Sequence, residues 1–234
     1  MNFGFSALVK RLNQYTGARE RIDKSHELMG NLLDMRGQKS ARTFLHCGVD
    51  YARLILVRLS AGRGYKARKA NIALFICMTV RAIHLELVSD YSTDAFLAAY
   101  SRFCDRRDIP SCLYSDNAKN FRGVDQELRS MWKATQSDPC VLNKLAFESI
   151  QWKFIPPSAP HFEGLWEAGV RSVKFHLKRI VRNYTLTFEE MTTLLCKIEA
   201  CLNSRPLALF SGDYEDYSAL MPAHFLIGIV SDVS

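Results

Sequence analysis

The segment "FLHCGVDYARLILVRL", residues 44–59, is a largely apolar stretch rich in β-branched residues, with Asp50 near its middle. Such a composition predicts a β-strand. A carboxylate in a buried strand is costly unless it is paired or binds a metal ion. The segment therefore predicts a strand of the core and marks Asp50 as a candidate functional residue.

The next segments predict more strands. "NIALFICMTV" and "AIHLELVS" are separated only by Arg81, which predicts a hairpin, and the first is apolar enough to be buried on both faces. "SCLYSD" predicts a short strand that ends at Asp116, and "SIQWKFIP" predicts another.

Helices are predicted between and after these strands, at 93–106, 123–134, 163–181 and 188–203. The first follows a cap at Ser92 and has an apolar stripe, and the last opens with Thr187 and Glu190 at capping-box spacing. "PPSAPHFEG" is interpreted as a loop, and residues 135–148, interrupted by Pro139, are left unassigned. The order of elements predicts a mixed α/β domain around one central sheet.

The composition and net charge of the chain favour one class of binding partner. The chain has 234 residues and a net charge of +7, which favours an anionic partner such as nucleic acid, although a generally basic soluble protein has the same signature. The longest apolar run is far shorter than the ~20 residues of a membrane span. No secretion signal is recognisable, and none of the seven cysteines forms a C-x-x-C motif, so we expect an intracellular protein with reduced cysteines and no zinc site.

Three carboxylates on different elements form the candidate constellation. Asp50 lies in one predicted strand, Asp116 ends another, and Glu167 lies in the first turns of a long helix. Together they would form an oxygen-rich pocket of the kind that binds Mg²⁺, and two such ions about 4 Å apart support phosphoryl transfer. Taken singly, each residue is more simply a turn, strand-end or solvated helix residue.

The sequence around these carboxylates raises their significance. Segment 47–107, "YSDNAKNFRG", "PPSAPHFEGLWEAGVRSVKFHLKRI", "LTFEEMTTLLCKIEACLNSRPL" and "PAHFLIG" together closely resemble the integrase core of BEL/Pao-type long-terminal-repeat retrotransposons. The resemblance implies a ribonuclease H-like α/β fold, with a central mixed five-stranded sheet flanked by helices. The texture of the sequence predicts a polar, basic N-terminal arm, 1–40, that is poorly ordered or marginally helical, followed by the catalytic core, 41–206, and an irregular C-terminal extension, 207–234.

The resemblance also implies a function. Asp50, Asp116 and Glu167 would be catalytic and would hold two Mg²⁺ or Mn²⁺ ions, with Asn117 positioned near DNA. The chain would process the 3′ ends of element DNA and join them to target DNA, as a homo-oligomer in the nucleus.

A basic stripe fits a DNA partner. At about 100° per residue, Glu163, Glu167, Arg171, Lys174 and Lys178 fall within an arc of about 80°. We predict that the three cations of this stripe bind DNA phosphates, although a solvated face with i,i+4 pairs has the same pattern. The basic segment "GRGYKARK" is a second candidate phosphate patch.

The sequence departs from the family pattern at several positions. Arg53 and Leu54 replace a usual Gly-Pro pair, Ala118 and Lys119 replace Gly and Thr, and Glu163 adds a negative charge one turn before Glu167. An alternative function is therefore a decayed or domesticated DNA-binding or assembly module of the same fold. A ribonuclease H-type hydrolase is a third candidate, against which the "HFEGLWEAGV" block argues.

Overall fold

The computed structural model describes residues 42–58, 60, 66–90, 92–115, 137–147, 150–154, 160–182, 184–209 and 219–227. The predicted N-terminal arm, the predicted helix at 123–134, and the residues Asp116, Asn117, Ala118 and Lys119 lie outside these ranges.

The described residues contain eight strands and five helices. The strands are β1 (His46–Arg58), β2 (Arg68–Cys77), β3 (Ile83–Val88), β4 (Cys112–Ser115), β5 (Gln151–Phe154), β6 (Leu186–Thr187), β7 (Ala208–Leu209) and β8 (Ala219–Leu220). The helices are α1 (Thr93–Arg107), α2 (Pro139–Phe147), α3 (Pro160–Val181), α4 (Phe188–Asn203) and α5 (Pro222–Leu226).

The central sheet is mixed, as predicted. Its strands follow the order β3-β2-β1-β4-β5, with β1–β2 and β2–β3 antiparallel and β1–β4 and β4–β5 parallel. A sixth strand, β6, pairs in parallel with the last two residues of β1, so the sheet has six strands rather than the predicted five. At two residues, β6 is too short to produce a strand pattern in the sequence.

The predicted hairpin is confirmed. The strands β2 and β3 pair from Asn71 with Val88 to Ile76 with Ile83. The connecting turn places Arg81 at a φ of 57° and closes with the Cys77 amide donating to the Ala82 carbonyl. From Ala70 to Cys77, β2 is buried without interruption, because the helices cover both faces of the sheet.

Each face of the sheet carries its own core. On one face, α1 buries Phe96, Ala99, Tyr100 and Phe103, the four residues of its predicted stripe. On the other, α3 and α4 pack on alternate residues of β1, β2 and β4; their buried contributions are Val173, Leu177, Ile180, Met191, Leu194, Leu195, Ile198 and Leu202. The alternation of side chains along each strand directs neighbouring sheet residues to opposite cores.

The predicted helix starts at α1 and α4 are confirmed. The Ser92 side chain accepts a hydrogen bond from the Ala95 amide. At α4, Thr187 and Glu190 form the full capping box, with each side chain accepting from the other residue's amide.

Two prolines begin helices that were not predicted to start there. Pro139 begins α2 rather than interrupting the segment 135–148, and the Asp138 side chain accepts from the Cys140 amide just inside the helix. Likewise α3 begins at Pro160, three residues before the predicted start at Glu163, and takes the end of the "PPSAPHFEG" loop into its first turn. Both differences have one cause, because a proline in the first helical turn has no amide to leave unpaired.

The segment after α4 contains regular structure where an irregular extension was expected. The strands β7 and β8 pair in antiparallel, and α5 follows directly. The Thr43 hydroxyl donates to the Phe225 carbonyl and ties α5 to the start of the core. None of the described helices is long and apolar enough to cross a membrane.

Candidate active site

Asp50 lies in the central strand of the sheet. It pairs with Leu74 of β2, and the preceding residue, Val49, pairs with Ser115 at the end of β4. The carboxylate is partly buried, and its Oδ1 accepts a hydrogen bond of 2.7 Å from the Tyr51 amide. A position with strands on both sides and partial burial fits a carboxylate that binds a ligand at the sheet surface.

The register identifies the face on which Asp50 lies. Directly paired residues of neighbouring strands point to the same face, so Asp50 shares a face with Leu74. A Cβ placed on Gly169 of α3 would lie 3.4 Å from Leu74 Cδ2. Asp50 is therefore on the face that α3 covers, and the glycine allows α3 to approach β2 closely.

Glu167 is carried on the same helix, two residues before Gly169. Its side chain is 69% exposed, and its Oε2 lies 3.6 Å from Arg171 Nη2. An exposed i,i+4 pair of this kind contributes only a few tenths of a kcal/mol, so it does not lock the carboxylate in place. Glu167 can reorient toward a ligand at little cost.

Asp116 and Asn117 lie outside the described residues, but the strand before them is well defined. In β4, Tyr114 belongs to the core under α3, whereas Ser115 accepts a hydrogen bond of 2.8 Å from the Trp152 indole on the other face. The described part of the chain contains no group of three histidine, cysteine or acidic side chains that could hold a metal ion. Since Asp116 is not among these residues, the three-carboxylate site stays a prediction.

A β-bulge lies just beyond Asp50, after the regularly paired Tyr51. The pairing of β1 with β2 shifts between Tyr51 and Leu54, where three steps along β1 match two along β2. The bulge therefore contains Arg53, one of the two departures from the family pattern in this strand. Bulges are common beside active sites, where they redirect the strand.

The basic stripe of α3 is exposed. Arg171, Lys174 and Lys178 all face solvent, and the structure adds two exposed cations at the helix end, Arg179 and Arg182. In the second candidate patch, Lys66, Arg68 and Lys69 are exposed, whereas 61–65 lie outside the described residues. Exposure satisfies the first requirement of phosphate binding.

Two solved structures share this architecture. The catalytic core domain of BIV integrase aligns with a TM-score of 0.50 and 13% identity, over 78% of this chain and 93% of that chain. A chain of the simian T-cell lymphotropic virus intasome in complex with the PP2A regulatory subunit B56 gamma aligns with a TM-score of 0.51 and 11% identity, over 77% of this chain and 53% of that chain. The chain has the integrase-core fold. The predicted ribonuclease H-like class is thereby confirmed.

At these identities the likeness shows the fold alone. The alignment spans only about half of the intasome chain, 53% of its length. No protein-family model and no curated protein matches the chain. The function of this chain therefore depends on the residues that it carries on the integrase-core fold.

A buried polar cluster at the sheet edge was missed by the sequence analysis. His84 and Glu86 of the edge strand β3 and Glu199 of α4 are all buried, with His84 Nε2 at 3.0 Å from Glu86 and Nδ1 at 3.3 Å from Glu199. Arg102 lies 2.6 Å from Glu86, and Arg107 lies 2.6 Å from Glu199. His84 and Glu86 alternate within an apolar strand, which was the available signal that two polar residues share a buried face.

The pKa values in this cluster shift toward the charged forms. Burial alone would lower the pKa of His84, but hydrogen bonds to Glu199 and Glu86 outweigh it and raise that pKa. For Glu86, burial is outweighed by hydrogen bonds from His84 and Arg102, which lower the carboxyl pKa. Burial is likewise outweighed at Glu199, chiefly by His84, so its pKa is also lowered.

The cluster closes the sheet edge. Glu199 accepts from the Leu85 amide at 2.8 Å, and Asn203 accepts from the Ile83 amide while donating to the Ile83 carbonyl, each at 2.8 Å. These side chains take the place of a further strand along β3. Their contacts indicate a structural role that holds α4 and α1 against the sheet.

Proposed function

We propose that the chain is the catalytic core of a BEL/Pao-type integrase. It would act as a polynucleotidyl transferase that processes the 3′ ends of element DNA and joins them to target DNA. The observation that carries the proposal is the placement of Asp50 in the central strand, beside the end of β4 and on the face covered by α3, within an integrase-core fold.

The donor set fits a divalent cation. Asp50 and Glu167 supply hard carboxylate oxygens, and Asp116 is the residue that follows β4 in the sequence. These three residues would hold Mg²⁺ or Mn²⁺. When bound, two such ions activate the attacking oxygen and stabilise the leaving oxygen of a phosphodiester.

The rest of the chain positions DNA. In the first reaction water would cleave near the 3′ end of the element strand, and in the second the new 3′-hydroxyl would attack target DNA. The exposed cations of α3 extend from Arg171, one turn after Glu167, toward the helix end. Phosphates lying along this stripe would bring the scissile bond to the carboxylates. We further propose a homo-oligomer that meets DNA in the nucleus.

A second candidate function has its own support. Glu167 faces solvent and lies near Arg171, and the bulge after Asp50 contains the substituted Arg53. In this alternative Glu167 stays against Arg171, and the module keeps the fold and the basic face but has lost productive metal geometry. Purified chain that nicks labelled duplex DNA with Mg²⁺ but not in EDTA would support the enzyme; tight DNA binding without nicking would support the module.

Removing two cations from the stripe should weaken DNA binding. For the Arg171→Ala, Lys174→Ala double variant we expect a similar loss of affinity on unrelated duplex sequences, because phosphate contacts do not read bases. The slope of log K against log salt should flatten by about 2. Anisotropy titrations over a series of KCl concentrations measure both quantities.

The comparison variant is Lys66→Ala, Lys69→Ala, which removes two exposed charges at the start of β2. If only this variant changes the slope, the second patch is the DNA site. Unchanged affinity of the Arg171, Lys174 variant at low salt would show that the α3 stripe is merely solvated.

A further inference from the structure

Phe175 is an exposed aromatic residue in the middle of the basic helix. It is 51% exposed. The buried residues of α3, Gly169, Val173, Leu177 and Ile180, centre on a direction about 150° away from Phe175 around the helix. The ring therefore does not serve the packing of α3 on the sheet.

The surroundings of the ring distinguish it from an ordinary exposed apolar residue. The Arg179 guanidinium lies over the ring, 5.1 Å from its centroid, and the His176 ring meets it edge to face at 5.6 Å. Each contact favours one orientation of the phenyl group by a modest amount, as expected of an exposed cation–π pair. The half-exposed ring and the planar guanidinium above it together present flat groups on which a flat partner can stack.

Charge limits the choice of partner. Five exposed cations surround the ring or follow it: Arg171, Lys174, Lys178, Arg179 and Arg182. The same face of a second copy would bring like charges together, and a cationic or neutral apolar peptide would gain nothing from them. A nucleic acid with an unpaired base meets both requirements, because the base is flat and the phosphates are negatively charged.

We infer that Phe175 and Arg179 form a stacking platform for an unpaired base of single-stranded or frayed DNA. The flanking lysines and arginines hold the adjacent phosphates. Stacking on an aromatic side chain tolerates any base, whereas bases inside a duplex have no free face to offer. The inference rests on the proposed function for its DNA partner and adds a preference for unpaired ends near the carboxylates.

The test compares three DNA probes in EDTA, so that metal chemistry plays no part. Anisotropy is measured with the full chain on an oligo(dT) of about ten nucleotides, on an abasic strand of equal length, and on a blunt duplex. Phe175→Ala should weaken binding of oligo(dT) by about tenfold, within the range found for base–aromatic stacking. Binding of the abasic strand and the duplex should change by less than about twofold, since their contacts are to phosphate.

Two further substitutions separate stacking from simple apolar contact. Phe175→Trp should retain oligo(dT) binding, and Phe175→Leu should lose it as alanine does. Leu142→Ala, a matched change at a 45% exposed position on α2, should have no effect on any probe.

Several results would overturn the inference. Equal losses on oligo(dT) and the abasic strand, undiminished oligo(dT) binding by Phe175→Leu, or a change of oligomeric state in Phe175→Ala by light scattering would each exclude a stacking platform. If wild type binds duplex DNA and Phe175→Ala binds oligo(dT) normally, the inference fails while the proposed function stands. If wild type binds none of the probes, both fail.

Discussion

Asp50→Asn is expected to reduce Mg²⁺-dependent nicking and strand joining by about a thousandfold, because metal catalysis contributes several kcal/mol to transition-state stabilisation. Asparagine has the shape of aspartate and keeps an oxygen that can accept from the Tyr51 amide. It lacks the negative charge that holds a hard cation. Folding and DNA binding should therefore be nearly unchanged, as judged by melting temperature and anisotropy.

The matched control is Asp105→Asn, an exposed carboxylate on α1, the helix on the opposite face of the sheet. It should leave nicking intact. Glu167→Gln should reproduce the loss of nicking. Because Glu163, one turn earlier, could substitute for the lost charge, the Glu163→Gln, Glu167→Gln double variant removes both carboxylates. Nicking that survives all three active-site changes would come from a contaminant or from another site.

Glu199→Ala should destabilise the fold by about 3 kcal/mol, since it leaves buried charged partners without their counter-charge. The side chain contacts the Leu85 amide at 2.8 Å, Arg107 at 2.6 Å and His84 at 3.3 Å. For a domain of this size the melting temperature should fall by about 6–12 °C. Glu189→Ala, an exposed change on the same helix, should cost less than about 1 kcal/mol. Equal melting temperatures for the two variants would show that the cluster adds nothing to stability.

The pH dependence of this difference follows from the pKa shifts. The lowered pKa values of Glu86 and Glu199 contribute stability above the usual carboxyl pKa, about 4.3, and this contribution is lost as pH falls through their folded values. The raised pKa of His84 contributes stability that is complete below about 6.5 and is lost as pH rises through its folded value. The gap between wild type and Glu199→Ala should therefore be widest between about pH 4.3 and 6.5.

Local patterns predicted the elements that local physics determines. The stripe of α1, the capping box of α4 and the hairpin around Arg81 are each encoded within a few residues. The hairpin connection is longer than the single residue predicted, because β2 ends at Cys77 and β3 begins at Ile83. The start of α2 was not predicted because Pro139 was interpreted as a helix breaker. The capping side chain of Asp138, directly before it, was not considered. The sixth strand exists only because the residues before α4 meet the end of β1, a long-range contact that no local pattern encodes.

The candidate site was predictable to a similar degree. A carboxylate in an apolar strand singled out Asp50, and the structure places it on the α3 face beside β4. The contact of Glu167 with Arg171 depends on the rotamers of both side chains, which the sequence does not determine. The contact of the Arg179 guanidinium with the Phe175 ring depends on the exposure of the ring, and helix periodicity alone gives an exposed residue no function. Prediction of the cluster at His84 would have required knowing that β3 is an edge strand covered by α4.

Convergence of the three carboxylates on shared metal ions is tested by a crystal structure of the chain soaked in Mn²⁺, with anomalous difference maps for wild type and Asp50→Asn. We expect an anomalous peak at a coordination distance of about 2.0–2.6 Å from the carboxylates of Asp50, Asp116 and Glu167, and its loss in the variant. A map in which Glu167 stays against Arg171, pointing away from Asp50, with no peak between them, would contradict the catalytic assignment.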